Sequence, residues 1–499
     1  MVFRLSAPAR YITSTMPEPR YIIIHGHFYQ PPRESPWTGL ISQESGAAPF
    51  PNWNERILSE CYTANAHAHT MEGPVVHIRN NYESLNFDVG PTLAQWLANH
   101  GQAAYRAMLR GDARSRDRLG GHGNAIAQSY NHSILPLLPP RDRDLQIGWG
   151  ITDFEYRFGR RPLGMWLPEC AVDQETLAPV AAAGIRFVIL GPQQGQYQGD
   201  PADTRAAGPF LWSNGTAKLA VFRFDREMSS TISFGEGLHD GARLAEWMAA
   251  TALALPEGAS LMFATDGETF GHHKKTGAAE LARALILLQR RDDIVLTNCE
   301  QYLADHGTSG KFLIDAPSSW SCPHGVERWR SECGCRLEAG SRQGWRTPLR
   351  AAMEFVNNHV DAVYDRFAPA LVKDHRGAVR ASIRLLIDSD PATHEQWFSR
   401  FGVAGEVSRE RLLRLFEMVR AGQSTLTSCA WFFDDFGGPE GRVALRWAAR
   451  AVELAAEHTP SIESELLARL REIRSNRHEV GDAATLYLSL KTREARVRM

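Results

Sequence analysis

The feature that most constrains this chain is a pattern met four times: a short apolar run that ends in a side chain able to hold or move a proton. Tyr21-Ile-Ile-Ile24 runs into His25 and His27. Leu163-Gly-Met-Trp166-Leu-Pro168 runs into Glu169, and Ala220-Val-Phe-Arg-Phe224 into Asp225. Leu261-Met-Phe-Ala264 runs into Thr265 and Asp266. Runs of this length, rich in β-branched and aromatic residues, are buried strands. Helical stretches separate them, from Asp173 to Ala183, Ala242 to Ala254 and Thr276 to Arg290. Strands alternating with helices build parallel βαβ units. A barrel or near-barrel of such strands gathers their carboxyl ends on one face. The expected fold class is therefore α/β, with His25, Glu169, Asp225 and Asp266 converging.

Asp266-Gly-Glu268 places two carboxylates around one glycine. If the chain stays extended through Glu268, both point to the same side. Gly267 would let the backbone approach a ligand closely or turn sharply. Pro168 cannot donate to a ladder and marks a strand end just before Glu169. Trp53 to His69 reads as a helix; on it His67 and His69 are two apart and do not face each other, so a ligand pair is disfavoured. Pro74-Val-Val-His-Ile78 reads as a strand, and Asn86-Phe-Asp-Val-Gly-Pro91 as the lead into a helix. Gly120-Gly-His-Gly123 follows an Arg/Asp-rich segment rather than a strand, which rules out a dinucleotide fingerprint.

A chain of 499 residues calls for two or three domains. Lys and Arg number 55 and Asp and Glu 57, for a net charge of −2. That balance gives no electrostatic reason to expect nucleic acid or a membrane surface as partner. No long apolar run follows Arg4, Arg10 and Arg20, so neither a leader nor a spanning helix is expected. Seven widely spread cysteines are not a disulfide framework, and a cytoplasmic location is the simplest expectation. The divisions expected are an N-terminal extension over 1–20, a barrel over 21–310 and a helical domain over 311–499. In the last, helices are expected over Leu349–Phe367, Val379–Ile387, Ser408–Val419, Gly441–Glu457 and Ile462–Ile473, with a short β-like run at Leu486–Leu490. Cys322, His324, Cys333 and Cys335 could supply four zinc ligands, but their spacing is not that of a usual finger or ribbon. Packed thiols beside an aromatic sugar platform are the preferred reading, with no metal. The aromatic segment Ser428–Gly438 could pack on the barrel mouth, and burial of its neighbouring helices is preferred.

Four stretches together resemble glycoside hydrolase family 57, enzymes active on α-glucans. They are His27-Phe-Tyr-Gln30-Pro31, Asn131-His132-Ser-Ile-Leu-Pro-Leu137, Trp166-Leu-Pro-Glu169 and Thr265-Asp266-Gly-Glu268-Thr-Phe-Gly271. The similarity covers roughly residues 20–305. The helical remainder is similar to the uncharacterised C-terminal domain carried by one branch of that family. The resemblance implies an incomplete (β/α)7 TIM-like barrel followed by an all-α domain, with no cofactor. It also implies Glu169 as nucleophile and Asp266 as acid/base. One departure is that the family's second motif holds a glutamate ahead of His132, whereas Gly123-Asn-Ala-Ile-Ala-Gln128 has no acid.

Retention of configuration needs one carboxylate to attack the anomeric carbon and a second carboxyl to move the proton, about 5–5.5 Å apart. The expected activity is thus a retaining hydrolase or transglycosidase on an α-glucan or maltooligosaccharide. His25, His27, His132 and His324 are candidates to hold sugar hydroxyls, and Trp166 and Trp320 to stack on a sugar face. Glu268 is a second acid or a group that orients its neighbours. Two rivals come from other classes. A metal-dependent polysaccharide deacetylase would use His25, His27 and Asp266 or Asp225. A glycan-binding protein would have kept the barrel and lost turnover.

Overall fold

The computed structural model describes residues 18–199 and 208–497; the expected N-terminal extension lies, up to residue 17, outside the described residues. Seven parallel strands form the curled sheet among the described residues: β1 (Arg20–Phe28), β2 (Asn86–Val89), β3 (Ala125–Gln128), β4 (Gly164–Trp166), β5 (Phe187–Leu190), β6 (Lys218–Arg223) and β7 (Ser260–Asp266). Their order is β7-β1-β2-β3-β4-β5-β6. The curl closes where Asp225 N, just past β6, donates to Met262 O in β7 at 2.7 Å. Ile294–Leu296 adds a short parallel partner at the start of β1.

β1 is the central strand, and its sequence shows why. Ile22, Ile23 and Ile24 are all fully buried, so both faces of the strand are covered, as in parallel sheets. Each such side chain contributes about 2 kcal/mol relative to exposure. The helices follow local signals. Asp173 caps Gln174–Ala182 by accepting from Thr176 N at 2.7 Å, and Gly184 turns the chain out at φ 91°. Pro91 opens the helix Pro91–His100.

Several expectations are corrected. Two barrel strands, β2 and β3, are four residues each and were not anticipated as strands. Val75–Arg79 is a strand, but it pairs with Ala68–Glu72 in a separate two-stranded ribbon rather than in the barrel. The helix beginning at Trp53 ends at Ala66, and His69 lies on that ribbon. The β-like run at Leu486–Leu490 is inside the helix Ala483–Val497. Lys311–Ile314 pairs with Gly195–Gln198 and so extends the barrel's sheet past residue 310.

Three helices make the frame of the C-terminal half: α1 (Arg346–Phe367), α2 (Glu406–Ser424) and α3 (Pro439–Ala456), packed on one another. Indole donors tie this half to the barrel. Trp149 Nε1 donates to Val379 O at 3.0 Å and Trp447 Nε1 to Pro32 O at 3.1 Å. Arg33, buried, pairs with Glu440 of α3 at 3.1 Å. No helix among the described residues is long and apolar enough to cross a membrane.

Candidate active site

Register builds the centre of the site. His27 on β1 lies level with Asp88 on β2 and Asp266 on β7. Side chains level with one another across a sheet share a face, so a carboxylate, an imidazole and a second carboxylate form one row. Asp88 is fully buried; its two oxygens take His25 Nε2 at 3.1 Å and His27 Nδ1 at 2.9 Å. Burial alone would lower the His27 imidazole. Asp88 outweighs it and, helped by Asp266 and Glu268, lifts His27 to about 9. Burial also opposes the charge on Asp88, and protonated His27 overcomes this, so Asp88 sits below its usual range. The pair is a buried ion pair at neutral pH.

The proton positions follow from these partners. His27 Nε2 lies 3.1 Å from His132 Nε2 and donates to it. Burial, and then the charge on His27, hold His132 well below its ordinary value, so it is neutral. Its Nδ1–H bonds Ser428 Oγ at the start of the aromatic segment after α2. Ser428 N in turn donates to His132 O at 3.0 Å. The Ser428–Gly438 segment therefore does reach the barrel mouth. Asn131 Nδ2 to Ser424 Oγ, at 3.1 Å, adds a second link.

Asp266 projects from the end of β7 and its side chain is exposed in the cleft. The protein walls around the carboxyl push it up to about 6; positive His27 opposes this, and Glu169 and Asp88 reinforce it. Glu169 and Asp266 thus act on one another electrostatically despite their separation in sequence. Glu169 is half-buried in a turn after β4. One of its oxygens, Oε2, accepts from Trp320 Nε1 at 2.9 Å and Ser321 Oγ at 2.6 Å. Its backbone carbonyl accepts from Trp320 N at 3.0 Å. Both Glu169 (φ 58°) and Cys170 (φ 48°) are left-handed, and His132 (φ 56°) is as well. Among the described residues these are the non-glycine positions with positive φ, each costing roughly 1 kcal/mol or more. All three sit at or beside the cleft, where strain of this kind is characteristically held.

The chain does not stay extended through Glu268. The strand ends at Asp266 and Gly267–Thr269 turn into a 3-10 helix. A Cβ on Gly267 would lie 2.2 Å from the ring of Phe28, so close packing on β1 is what requires glycine here. The turn sends Glu268 into the wall, where Tyr62 Oη donates to it at 2.7 Å and Tyr29 N at 3.3 Å. Burial pushes this carboxyl up to about 7, with Tyr62 opposing and Asp266 adding to the rise.

The cleft thus brings together Glu169, Asp266, Glu268, His27, His132 and Trp320. Further expectations need correction. His27 spends its nitrogens on Asp88 and His132, and His132 on His27 and Ser428, so neither keeps one for a sugar hydroxyl. His25 has one nitrogen on Asp88 and takes Asn86 Nδ2 on the other at 2.8 Å, leaving no ring nitrogen for a sugar. Trp166 has no exposed face; it stacks beneath His25 and His27 at 4.7 and 5.0 Å between ring centres. Trp320 stands edge-on to it and is the half-exposed indole at the cleft. His324 turns away to Cys335, with Nδ1 3.6 Å from its sulfur. The rival metal triad fails on the same grounds as His25, and Asp225 caps the helix Arg226–Phe234 through Met228 N at 2.7 Å. Sequence reasoning missed Asp88, Asn86, Tyr62, Tyr29 and Ser321. Buried polar residues in the run Asn86-Phe-Asp-Val89 were the available signal.

Comparison with known proteins agrees with this architecture. Residues 120–316 match the model for glycosyl hydrolase family 57, and residues 342–497 match a domain of unknown function, DUF3536. A probable 1,4-alpha-glucan branching enzyme of Mycobacterium tuberculosis is 36% identical over 104 residues, 20% of this chain and 18% of that protein. Alpha-amylase 1 of Dictyoglomus thermophilum is 27% identical over 112 residues, 22% of this chain and 16% of that protein. The chain thus aligns with less than a fifth of the length of these relatives. An exo-type maltose-forming amylase from Pyrococcus sp. ST04 superposes with a TM-score of 0.67 at 14% identity, covering 94% of this chain and 88% of that one. A GH57-type branching enzyme from Pyrococcus horikoshii gives 0.55 at 15%, covering 95% and 94%. The fold is therefore that of these two solved structures, and residues 120–316 are similar to glycosyl hydrolase family 57.

Proposed function

We propose that the protein is a retaining glycoside hydrolase or transglycosidase acting on α-glucans. The observation that carries this reading is the placement of Glu169 just after β4 and Asp266 at the end of β7, two carboxyls at the carboxyl ends of strands of one curled sheet. Glu169, oriented by Trp320 and Ser321, attacks the anomeric carbon. Asp266, raised to about 6, protonates the leaving oxygen and later takes a proton from water or an acceptor hydroxyl. Placing a carboxyl among protein walls and a second carboxylate is the usual way to keep an acid protonated near its working pH. His27, charged and fixed by Asp88, sets the electrostatics beside the two carboxyls, and Trp320 offers a face for a sugar ring.

The relatives are named as branching enzymes and amylases, which supports an α-1,4-glucan as substrate. Product analysis on a panel of maltooligosaccharides, amylose and starch tests the class: shortened chains report hydrolysis, and redistributed lengths or new branches report transfer. Glu169→Gln and Asp266→Asn should each nearly abolish turnover. Full activity in Glu169→Gln would end the assignment. Binding of maltooligosaccharides with no product from wild type would favour a binding protein instead.

A further inference from the structure

Between Ile314 and α1, residues 315–345 carry a single short turn of regular structure, Glu327–Trp329. Loops of that length in a compact fold are uncommon and need something to hold them. This one is exacting, because it delivers Trp320 and Ser321 onto Glu169. Inside it Cys322, His324, Cys333 and Cys335 converge, with one ligand atom from each lying within 4.8 Å of all the others.

The separations carry chemical information. Cys322 and Cys335 sulfurs are 3.7 Å apart, Cys322 and Cys333 4.0 Å, and Cys335 Sγ to His324 Nδ1 3.6 Å. Disulfide sulfurs would be about 2.05 Å apart. A tetrahedral zinc ion with Zn–S near 2.3 Å and Zn–N near 2.05 Å sets the S···S edges at about 3.8 Å and the S···N edges at about 3.6 Å. The surroundings suit the charge as well. Three thiolates around a dication leave one net negative charge, and the fully buried Arg346 sits beside it, Nη1 4.0 Å from Cys333 Sγ and Nη2 3.1 Å from Cys335 O. Arg346 Nε has no hydrogen-bond partner within the protein. Cys322 closes the inner side and the exposed His324 the outer.

We propose that Cys322, His324, Cys333 and Cys335 form a closed structural zinc site that staples the loop presenting Trp320 and Ser321 to the nucleophile. The four ligands and tetrahedral edges leave no open position, so the ion holds shape and does not enter the chemistry. This proposal departs from the preference for packed thiols, which rested on spacing alone. The Cys-x-His and Cys-x-Cys pairs meet because the loop folds back on itself.

The test is elemental analysis of the untagged full-length chain, expressed with zinc in the medium and gel-filtered. About one zinc per chain is expected, released by a thiol-modifying reagent. Cobalt substitution should give the thiolate-to-metal absorption of a tetrahedral site, lost in Cys335→Ser. Less than a tenth of a zinc per chain in wild type overturns the proposal, as does a Cys322–Cys335 disulfide or a different metal at that stoichiometry. Because the readout is metal content, its failure leaves the glycosidase reading untouched, and an inactive protein that holds zinc leaves this one intact.

Discussion

Replacing Asp88 by Asn keeps the shape of the row and removes its central charge. In the wild type Asp88 lifts His27 from an ordinary 6.5 to about 9 against the pull of burial. At 1.36 kcal/mol per unit, that difference is worth about 3 kcal/mol of folding stability. A group whose folded value is raised contributes fully below its unfolded value, so the His27 contribution is complete at pH 6 and gone once pH passes through about 9. Asp88, held low, contributes above its unfolded value and loses that contribution in acid. In Asp88→Asn burial still lowers the imidazole and only the weaker pull of Asp266 and Glu268 opposes it, so it returns to neutral. Urea unfolding at pH 6 and pH 9.5 measures this. The variant's deficit relative to wild type should shrink by about 3 kcal/mol between the two. An equal deficit at both values would show that His27 is not held protonated by Asp88 and would refute the reasoning.

Other outcomes follow from single contacts. Gly267→Ala forces a methyl to 2.2 Å from Phe28 and should destabilise by about 3 kcal/mol, with Phe28→Leu in the same chain restoring part of it by thermal melting. Ser428→Ala removes the partner of buried His132 and should cost about 1–2 kcal/mol, with a roughly tenfold fall in kcat/KM that reports the helical half's part in shaping the cleft. kcat/KM should decline as pH rises through about 6, because Asp266 must be protonated for the first step. In Glu169→Gln the neighbour that helps raise it is gone, so Asp266 should titrate lower by carbon NMR; an unchanged value would place the two carboxyls too far apart.

Much of the fold was legible because parallel strands buried on both faces leave unbroken apolar runs. Ile22–Ile24 and Leu261–Ala264 could be little else. β2 and β3 were hidden for the opposite reason. Four residues give no period, and Asn86 and Asp88 look like turn residues until His25 and His27 arrive to pair them. Glu169 and Asp266 stood out as acids at strand ends. The roles of their neighbours depend on three-dimensional neighbours that the sequence leaves distant. Trp166 offers an indole to a sugar in the sequence and lies beneath two imidazoles in the fold. His324 lies four residues after Trp320 but faces the thiols. A glycine between two acids suggested parallel carboxylates, but the chain turns into a 3-10 helix after Asp266 and carries Glu268 into the wall, while the glycine is required by close packing on Phe28.

The most direct measurement is covalent trapping. An activated fluoro-sugar of the α-gluco series, which forms the glycosyl-enzyme quickly and releases it slowly, should add one sugar per chain, and peptide mass analysis should find it on Glu169. The Asp266→Asn variant should still accumulate this adduct, since the fluoride leaves without needing a proton. An adduct on any other carboxylate, or none while wild type turns over glucan, would contradict attack by Glu169 across the cleft from Asp266.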